Sequence, residues 1–393
     1  MTAIPRPQPV GIFAFPRSHL LALPGNEATR AAAMLGDDVA AAAILPATAA
    51  AVTGSSPLDR HNAFVLAPSP EALAAIEAAG DPAFVALARS AAFAHGLIDD
   101  LPEPGPLDGE LKALVQMTAA AGLFERGDAR AARTLLAEAA EQAAPASPVF
   151  AAVLHQQVAD TLPAEAADLA IDHLEQALQL GEQAKLPRLL ADIWMRLGTL
   201  HQARGADGSR GPLVEAVTCY QKALAAGITQ DSDPASYAQL QNNLGLAYLC
   251  MPTREASDQL RAGIAVQSFR KARDVQDRDA DPDQWASVTM NLASALQYLP
   301  STHPAENLAE AVELYEEVLA VRTEARDPVA HARALLNQGN ALAHLGIFKP
   351  AIEKLAKALK LFTWHEATDE AATAKELLDG IHARLDKIRS TTV

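Results

Sequence analysis

The sequence predicts a mainly α-helical protein, an α-solenoid of about six helix pairs with a capping helix, preceded by a small N-terminal domain. The main observation is a phrase that recurs: LQNNLGLAYL at residues 240–249, VTMNLASALQYL at 288–299 and LLNQGNALAHL at 335–345. Asn243, Asn291 and Asn337 occupy the same position of this phrase, at spacings of 48 and 46 residues. Self-similarity at such a period indicates stacked repeats.

A second regular feature precedes each copy of the phrase. The pairs Asp233-Pro234, Asp281-Pro282 and Asp327-Pro328 stand at the same distance before the three asparagines. A weaker copy of the phrase begins at Asp192 and places Arg196 in the asparagine position, 47 residues before Asn243. The repeat therefore extends toward the N-terminus in a less regular form.

Composition supports closely packed helices. Half of the 393 residues are apolar, but only 5% are aromatic, so alanine and leucine supply most of the apolar surface. Alanine is the residue that costs least in a helix. The net charge of −16 argues against a nucleic-acid or anionic-membrane partner, because both require a basic face. The same charge permits a basic protein partner, although a solvated acidic surface also explains it.

The two cysteines, Cys219 and Cys250, fall in helical patterns and are expected to be buried free thiols of a reducing compartment. Their spacing matches no metal site. Prolines interrupt the first residues, which are therefore not expected to form a signal peptide, and no membrane span is expected because no strongly apolar stretch is long enough. A soluble cytoplasmic protein without a cofactor or metal is expected.

The N-terminal part differs in composition, and it contains no lysine before Lys112. Three apolar runs, VGIFAF (10–15), VAAAAIL (39–45) and NAFVLA (62–67), are expected to be buried strands. Residues 70–79 and 82–98 are expected to be helices opened by proline. The run LPEPGPLDGE (101–110) is expected to be a linker. We therefore expect a domain at 1–108 that is α/β, a repeat array at 109–365, and a capping helix and tail at 366–393.

Helix pairs begin after the linker. Gly127-Asp128 marks a turn between two helices, and the small residues Ala120 and Ala132 allow those helices to approach closely. The second helix of later pairs has alanine followed four residues on by a large residue, which places both on one helix face. The large residues Tyr220, Phe269 and Tyr315 are expected in the core. The three tryptophans, Trp194, Trp285 and Trp364, are expected to be nearly buried in helix pairs; the alternative is that they contribute to a groove.

The small–aromatic–small pattern over two helices resembles the tetratricopeptide repeat (TPR). The Asp-Pro pairs and the phrase Asn-Leu-Gly-x-Ala resemble the longer repeats of kinesin-light-chain-type and bacterial TPR arrays, over residues 111–362. Three units depart from this pattern by extra residues between their helices, at 204–213, 251–263 and 299–310. We expect these residues to lengthen helices or to form turns at one edge. The pair at 148–180 is degenerate.

The resemblance implies that the asparagine position lines a concave groove and holds peptide backbone. An amide offers both a donor and an acceptor, as an extended backbone does. The alternative is that these amides bond to adjacent helices and fix repeat register. The candidate groove residues are Arg196, Gln239, Asn242, Asn243, Asn291, Arg333, Asn337 and Asn340.

Other candidates for chemistry are weak. His61, His95 and His155 have no metal-ligand spacing, and His95 with Asp99 is expected to be an ordinary pair on one helix surface. The run TGSSPLDRH (53–61) is expected to be a polar turn. Nucleophile-elbow, P-loop and dinucleotide motifs do not occur.

These observations favour a non-catalytic adaptor or scaffold that holds a protein or peptide segment in the groove. Self-association into a homo-oligomer is also open. The alternative is an accessory or maturation factor for a particular enzyme, or an enzyme with its site in the N-terminal domain.

Overall fold

The computed structural model describes residues 13–14, 21–22, 55–184, 187–252 and 259–391. The chain divides into two compact units, Met1–Leu197 and Gly198–Val393. The apolar run at 39–45, expected to be a strand, lies outside the described residues.

The first unit contains a short antiparallel strand pair and the first helices. Strands β1 (Phe13–Ala14) and β2 (Leu21–Ala22) pair with Phe13 opposite Ala22. The helices are α1 (Pro57–Leu66), α2 (Pro70–Ala79), α3 (Pro82–Ala94), α4 (Gly109–Glu125), α5 (Ala129–Ala143), α6 (Pro148–Thr161) and α7 (Ala167–Ala184). The boundary between the units falls inside α8 (Pro187–Arg204).

The second unit continues the helical array. Its helices are α9 (Arg210–Ala225), α10 (Pro234–Cys250), α11 (Gln259–Asp274), α12 (Pro282–Gln297), α13 (Pro304–Val321), α14 (Pro328–His344), α15 (Phe348–Trp364) and α16 (Thr368–Thr391). Helices pack in consecutive pairs from α4–α5 to α14–α15, and α16 packs on the last pair. The fold is a TPR-like α-solenoid of six helix pairs with a capping helix, as the sequence predicts.

The repeated Asp-Pro pairs are helix N-caps. The carboxylates of Asp233, Asp281 and Asp327 accept hydrogen bonds from the backbone N–H three residues on, at 3.1, 3.1 and 2.9 Å. The following proline occupies the first helical turn, where its missing N–H has no intrahelical partner to lose. The pairs therefore fix where the first helix of each repeat begins, which sets the register of every residue after it.

The tight turns of the shortest pairs end in glycine. Gly127 and Gly346 have positive φ of 84° and 78°, a conformation that favours glycine. The next residue in each turn, Asp128 or Ile347, donates its backbone N–H five residues back, at 2.9 Å in both turns. This pattern closes a helix with a left-handed residue. It confirms the predicted turn at Gly127-Asp128 and explains why these two pairs lack the extra residues of the others.

The prediction of a strand at residues 62–67 was wrong. These residues end α1, whose first turn is closed by a capping box between Ser56 and Asp59. Phe64 and Val65 enter one continuous core with residues of α3 to α6, such as Leu87 and Leu114. A short apolar run suits a buried helix as well as a buried strand, so its pattern alone does not separate the two.

The segment at 101–108 is irregular, as expected of a linker, but it is packed rather than free. A Cβ at Gly122 of α4 would lie within 2.6 Å of the Phe93 ring and close to Leu101. Leu107 is buried in the same core. The early helices therefore lie directly against α4, and the division of domains at residue 108 stays a prediction.

Each later pair is closed by a small residue on the first helix against a large one on the second. A Cβ at Gly245 would lie 2.7 Å from Cε1 of Phe269, and one at Gly198 would lie 2.7 Å from Cδ1 of Tyr220. Phe269 and Tyr220 are fully buried, as predicted. Such close approach leaves no space between the helices for a methyl group, since protein interiors are close-packed.

The buried tyrosines have polar partners at matching positions. The Tyr315 hydroxyl contacts the Ser294 hydroxyl at 2.9 Å and donates to Gln297 Oε1 at 3.4 Å. The Tyr220 hydroxyl donates to Gln202 Oε1 at 2.8 Å. Burial raises the pKa of Tyr220 to about 12 and raises that of Tyr315 as well. A buried hydroxyl requires such partners, because leaving it unpaired is costly.

The helix pair α10–α11 lies between the two pairs that contain these tyrosines, and its first helix is apolar at the positions that Ser294 and Gln297 occupy on α12. Leu246 and Leu249 stand three and six residues after Asn243, where Ser294 and Gln297 follow Asn291. Both leucines pack against the cluster that holds Phe269. The second helix thus carries tyrosine where the first helix offers polar groups, and phenylalanine where it offers leucines.

The C-terminal segment forms the expected helix. α16 buries Ala374, Leu378 and Ile381 and leaves most of its other residues exposed. Trp364 contradicts the prediction of near-burial: it is 80% exposed because it ends α15, where the chain turns into α16. No helix among the described residues is long and apolar enough to cross a membrane.

Gly245→Ala should destabilise the second unit by about 1–3 kcal/mol, because the new methyl group would be forced against a fully buried ring. Gly380→Ala on α16 is the matched control. Its Cβ would meet nothing within 4 Å, so it should stabilise by about 0.5–1 kcal/mol through helix propensity. Urea unfolding of both variants tests this, and equal effects would contradict the packing described.

Phe269→Tyr should cost about 1–3 kcal/mol, because its hydroxyl would be buried among leucines without a partner. Tyr315→Phe should cost about 0.5–1.5 kcal/mol by removing the bonds to Ser294 and Gln297. The midpoint of urea unfolding measures both. A neutral or stabilising Phe269→Tyr would show that a polar partner is present there.

Candidate functional site

The first helices of the second unit bring the repeated amides together on one face. Asn291 Nδ2 on α12 donates to Asn242 Oδ1 on α10 at 2.9 Å. Asn340 Nδ2 on α14 donates to the Tyr298 hydroxyl at the end of α12, at 3.2 Å. These two contacts join α10 to α12 and α12 to α14. We call this surface the amide face; its predicted members are Gln239, Asn242, Asn243, Asn291, Arg333, Asn337 and Asn340.

Helical spacing aligns further side chains with these amides. On α12, residues four, seven and eleven positions after Ser287 are Asn291, Ser294 and Tyr298. On α14, the same intervals after Arg333 give Asn337, Asn340 and His344. Residues at these intervals lie along one side of a helix. The α12–α14 part of the amide face is therefore two parallel rows of polar side chains; we call it the α12–α14 cleft.

Part of the amide face is committed to a hydrogen-bond chain inside the protein. Asn291 donates to Asn242, and Asn242 Nδ2 contacts Asn243 Oδ1 at 3.4 Å. Asn243 in turn hydrogen-bonds to the Tyr220 hydroxyl, which donates to Gln202. The chain runs in one direction, from α12 through α10 and α9 to α8. Asn242 and Asn243 therefore make the contacts expected if the amides bond to adjacent helices and fix repeat register, which is the alternative to holding a peptide.

The remaining amides keep more of their hydrogen-bonding capacity. Asn337 is half-buried and Gln239 is exposed, and neither makes a side-chain hydrogen bond to another residue in the described part of the chain. Asn291 uses its amine group on Asn242, which leaves its carbonyl oxygen as an acceptor. Asn340 likewise retains its carbonyl oxygen. The groups open to a ligand are thus concentrated on α12 and α14.

The two arginines described at the α12–α14 cleft are already engaged. Arg333 pairs with Glu370 of α16 at 2.6 Å, and this hydrogen bond lowers the pKa of the Glu370 carboxyl. Arg322 reaches back to the Ser287 hydroxyl at 2.5 Å and to the carbonyl oxygen of Asp283 at 3.3 Å. Burial lowers the pKa of Arg322. Each guanidinium thus has a carboxylate partner or neighbour, Glu370 for Arg333 and the charges of Asp283 and Asp327 for Arg322, so the cleft presents mainly amides and hydroxyls to a ligand.

Arg196, in the first unit, has a different setting from the asparagines. Its guanidinium pairs with Asp160 of α6 and, at 3.0 Å, with Asp192 of α8. Gln156 Nε2 also donates to Asp192, at 2.6 Å. Burial lowers the pKa of Arg196, but the charges of Asp192 and Asp160 raise it, and the net shift is upward. Two carboxylates thus already surround the charge that the sequence suggested for binding a ligand carboxylate.

Only part of this cluster could be predicted from the sequence. Asp192 and Arg196 are four residues apart on one helix, a spacing that predicts a pair. Asp160 and Gln156 lie 36 residues before their partners Arg196 and Asp192, on another helix. No sequence spacing identifies them, because the contact depends on how α6 packs beside α8.

A pair formed by the buried His155 and the half-buried His173 is a further feature that sequence reasoning missed. Nδ1 of His155 on α6 and Nδ1 of His173 on α7 are 3.0 Å apart. Burial, and secondarily the charge of His173, lowers the pKa of His155 to about 4. Burial also lowers the pKa of His173. Both imidazoles are therefore neutral near pH 7 and share one hydrogen bond between α6 and α7.

The expected helix-surface pair of His95 and Asp99 does not form on one helix. α3 ends at Ala94, and Gly96 has a positive φ of 70°. The Leu97 N–H bonds to the Ala92 carbonyl at 2.9 Å, which closes the helix. Glycine in this conformation stops a helix, so His95 and Asp99 lie beyond the helix end. Within the described residues, no group of three or more His, Cys, Asp or Glu could hold a metal ion.

Comparison with known proteins finds distant similarity only. No family model matches the chain, and no curated protein matches it. BtubC (BKLC) from P. vanneervenii is 20% identical, with 65% of this chain and 92% of that chain covered and a TM-score of 0.42. The apo form of RapI is 11% identical, with 81% and 92% covered and a TM-score of 0.48.

A STAND signal-transduction ATPase with a tetratricopeptide repeat sensor from Pyrococcus horikoshii is 13% identical, with a TM-score of 0.46. The match covers 86% of this chain but only 52% of that chain, about half of its length. At these identities and TM-scores, the similarities assign no role to any residue here.

The stability of the first unit should depend on pH through His155. An unfolded histidine has a pKa of about 6.5, whereas folded His155 has a pKa of about 4. Between these values the unfolded chain binds a proton that the folded chain does not, so the free energy of unfolding should fall as pH decreases. His155→Gln should lose part of that decrease.

Urea unfolding at about pH 7 and about pH 5 measures the effect. His382→Gln on the exposed side of α16 is the matched control. An identical pH dependence in His155→Gln and in the unchanged protein would contradict a neutral, buried His155.

Proposed function

We propose that this protein is a non-catalytic adaptor or scaffold that holds an extended segment of a partner protein against the amide face. The observation that carries the proposal is the row of side-chain amides on α10, α12 and α14, parts of which remain open on Asn291, Asn337 and Asn340. The proposed action is equilibrium binding, in which no covalent bond is made or broken.

The chemistry of the amides suits a peptide backbone. An extended segment presents alternating N–H and C=O groups about every 3.3 Å. A side-chain amide offers one acceptor and two donors, so it can meet both backbone groups of one residue. Amides on successive first helices would meet successive stretches of the segment. Main-chain contacts of this kind supply affinity, and neighbouring pockets supply selectivity.

The hydrogen-bond chain gives the amide face a fixed geometry. Asn291 is held by Asn242, which is held in turn through Asn243 and Tyr220. A side chain that is already oriented loses less entropy when a ligand binds. We therefore assign Asn242 and Asn243 to positioning and Asn291, Asn337 and Asn340 to direct contact.

The net charge bears on the partner. A charge of −16 attracts a basic protein at long range and repels an acidic one. We propose a protein partner with a basic surface around the bound segment, with salt-sensitive association. Self-association remains an outcome that the same experiment would reveal.

The tagged protein, incubated with lysate of its native cells, should retain a partner that Asn291→Ala/Asn337→Ala does not retain. Loss of these hydrogen bonds should weaken binding by about 1–3 kcal/mol, or about five- to 150-fold. Partner identification by mass spectrometry and titration of the purified partner measure this. Circular dichroism should show unchanged helicity.

Gln267→Ala is the matched control. Gln267 is an exposed amide on α11, a second helix, where it is not part of the amide face. Equal retention of every partner by the control and by the double variant would contradict the proposal, and retention of this chain by itself would establish self-association.

A further inference from the structure

The α12–α14 cleft contains an exposed aromatic ring. Tyr298 caps the C-terminal end of α12 and is 66% exposed. The equivalent residues after Asn243 and Asn337 are Cys250, which has no ring, and His344, which has the smaller and more polar imidazole ring. Tyr298 thus presents a large ring to solvent beside the open amides, where a ligand could cover its apolar face.

The ring is held in place rather than left free. Its hydroxyl accepts a hydrogen bond from Asn340 Nδ2 at 3.2 Å. Its backbone N–H bonds to the Leu296 carbonyl in the closing turn of α12. One end of the side chain is thus fixed to α12 and the other to α14. This arrangement leaves the face of the ring available at the end of the cleft.

The position of the ring relative to the amides sets a spacing. Tyr298 lies seven residues after Asn291 on the same side of α12, which is about 10 Å along the helix axis. An extended segment covers that distance in about three residues. A backbone that crosses from Asn337 to Asn291 and then follows α12 toward its C-terminal end would therefore bring a side chain about three positions beyond Asn291 over the ring.

The charges at the cleft limit what that segment carries. Arg333 pairs with Glu370, and Arg322 bonds to Ser287 within the electrostatic influence of the Asp283 and Asp327 carboxylates. A carboxylate in the segment would have to compete with Glu370 for its cation. A segment without charge in this stretch would meet amides, hydroxyls and one aromatic face, all of which it can satisfy.

We infer that the α12–α14 cleft binds an uncharged, extended peptide segment in which one planar side chain, aromatic or proline, stacks on Tyr298. The inference rests on the proposed function and names the chemistry of its partner. Asn291 and Asn337 hold the backbone, and Tyr298 selects the side chain. Any basic residues of the partner then lie outside this stretch.

The test is selection from a phage-displayed library of random nine-residue peptides on the full-length protein. The enriched peptides should share a planar residue and lack acidic residues near it. The best peptide, made synthetically, is then titrated against Tyr298→Ala, Tyr298→Phe and Asn337→Ala. Tyr298→Ala should bind about two- to tenfold more weakly, the loss expected for one aromatic contact.

The variants separate stacking from other effects. Tyr298→Phe keeps the ring face and should retain most of the affinity. Tyr298→Ala and Tyr298→Phe both lose the hydrogen bond from Asn340, so equal thermal unfolding of the two variants would show that weaker binding of Tyr298→Ala alone comes from loss of the ring. Replacement of the planar residue by alanine in the peptide should weaken binding to the unchanged protein but not to Tyr298→Ala.

The outcomes also distinguish this inference from the function on which it rests. Enriched peptides that depend on Asn337 but not on Tyr298, or that share an acidic motif, would overturn the inference and leave backbone capture standing. Peptides that depend on neither residue, or no enrichment at all, would contradict both.

Discussion

Close packing between a small residue on one helix and a large residue on the next is the constraint on which the array depends. Gly245 against Phe269, Gly198 against Tyr220 and Gly339 against Leu355 all leave less room than a methyl group needs. Each contact fixes how far apart the helices of a pair lie and how they are rotated. The apolar sides are then used in packing, and the opposite sides of the first helices remain for polar residues.

That geometry gives the repeated asparagines two different roles. Near the start of the second unit, Asn242 and Asn243 join a hydrogen-bond chain that reaches Tyr220 and Gln202. At α14, Asn337 stands in the same position of the repeat and has no such partner among the described residues. The difference follows from the preceding second helix: the Tyr220 hydroxyl of α9 bonds Asn243, whereas the Tyr315 hydroxyl of α13 bonds Ser294 and Gln297 of α12. The same repeat position is thus hydrogen-bonded to another side chain at one end and makes no such bond within the described residues at the other.

Much of the fold could be predicted from the sequence, because it depends on local patterns. The repeat period, the Gly127-Asp128 turn and the helical C-terminus follow from spacing and turn chemistry. The strand expected at 62–67 failed because a short apolar run carries no period that separates helix from strand. The prediction that His95 and Asp99 pair on one helix was wrong, because α3 ends near Gly96, before the chain reaches Asp99.

The site was harder to predict for a different reason. The candidate amides could be listed, since they recur in register, but their hydrogen-bond partners are set by side-chain positions across 49 residues, as for Asn291 and Asn242. The carboxylate from α6 beside Arg196 and the histidine pair likewise depend on packing between helices. Sequence spacing therefore identifies which residues share a face, whereas only the structure shows which of them are already bound.

The most direct test of this account is a titration with the peptide selected by phage display, followed by nuclear magnetic resonance of the side-chain amide groups. Asn337 and Asn291 are assigned to direct contact with the segment, and Asn243 is assigned to positioning. The NH2 signals of Asn337 and Asn291 should therefore shift as peptide is added, and the shifts should stop changing at one peptide per protein. The signal of Asn243 should change little. Saturable binding that leaves the Asn291 and Asn337 signals unmoved, with shifts confined to the second helices, would contradict the assignment of the amide face as the binding surface.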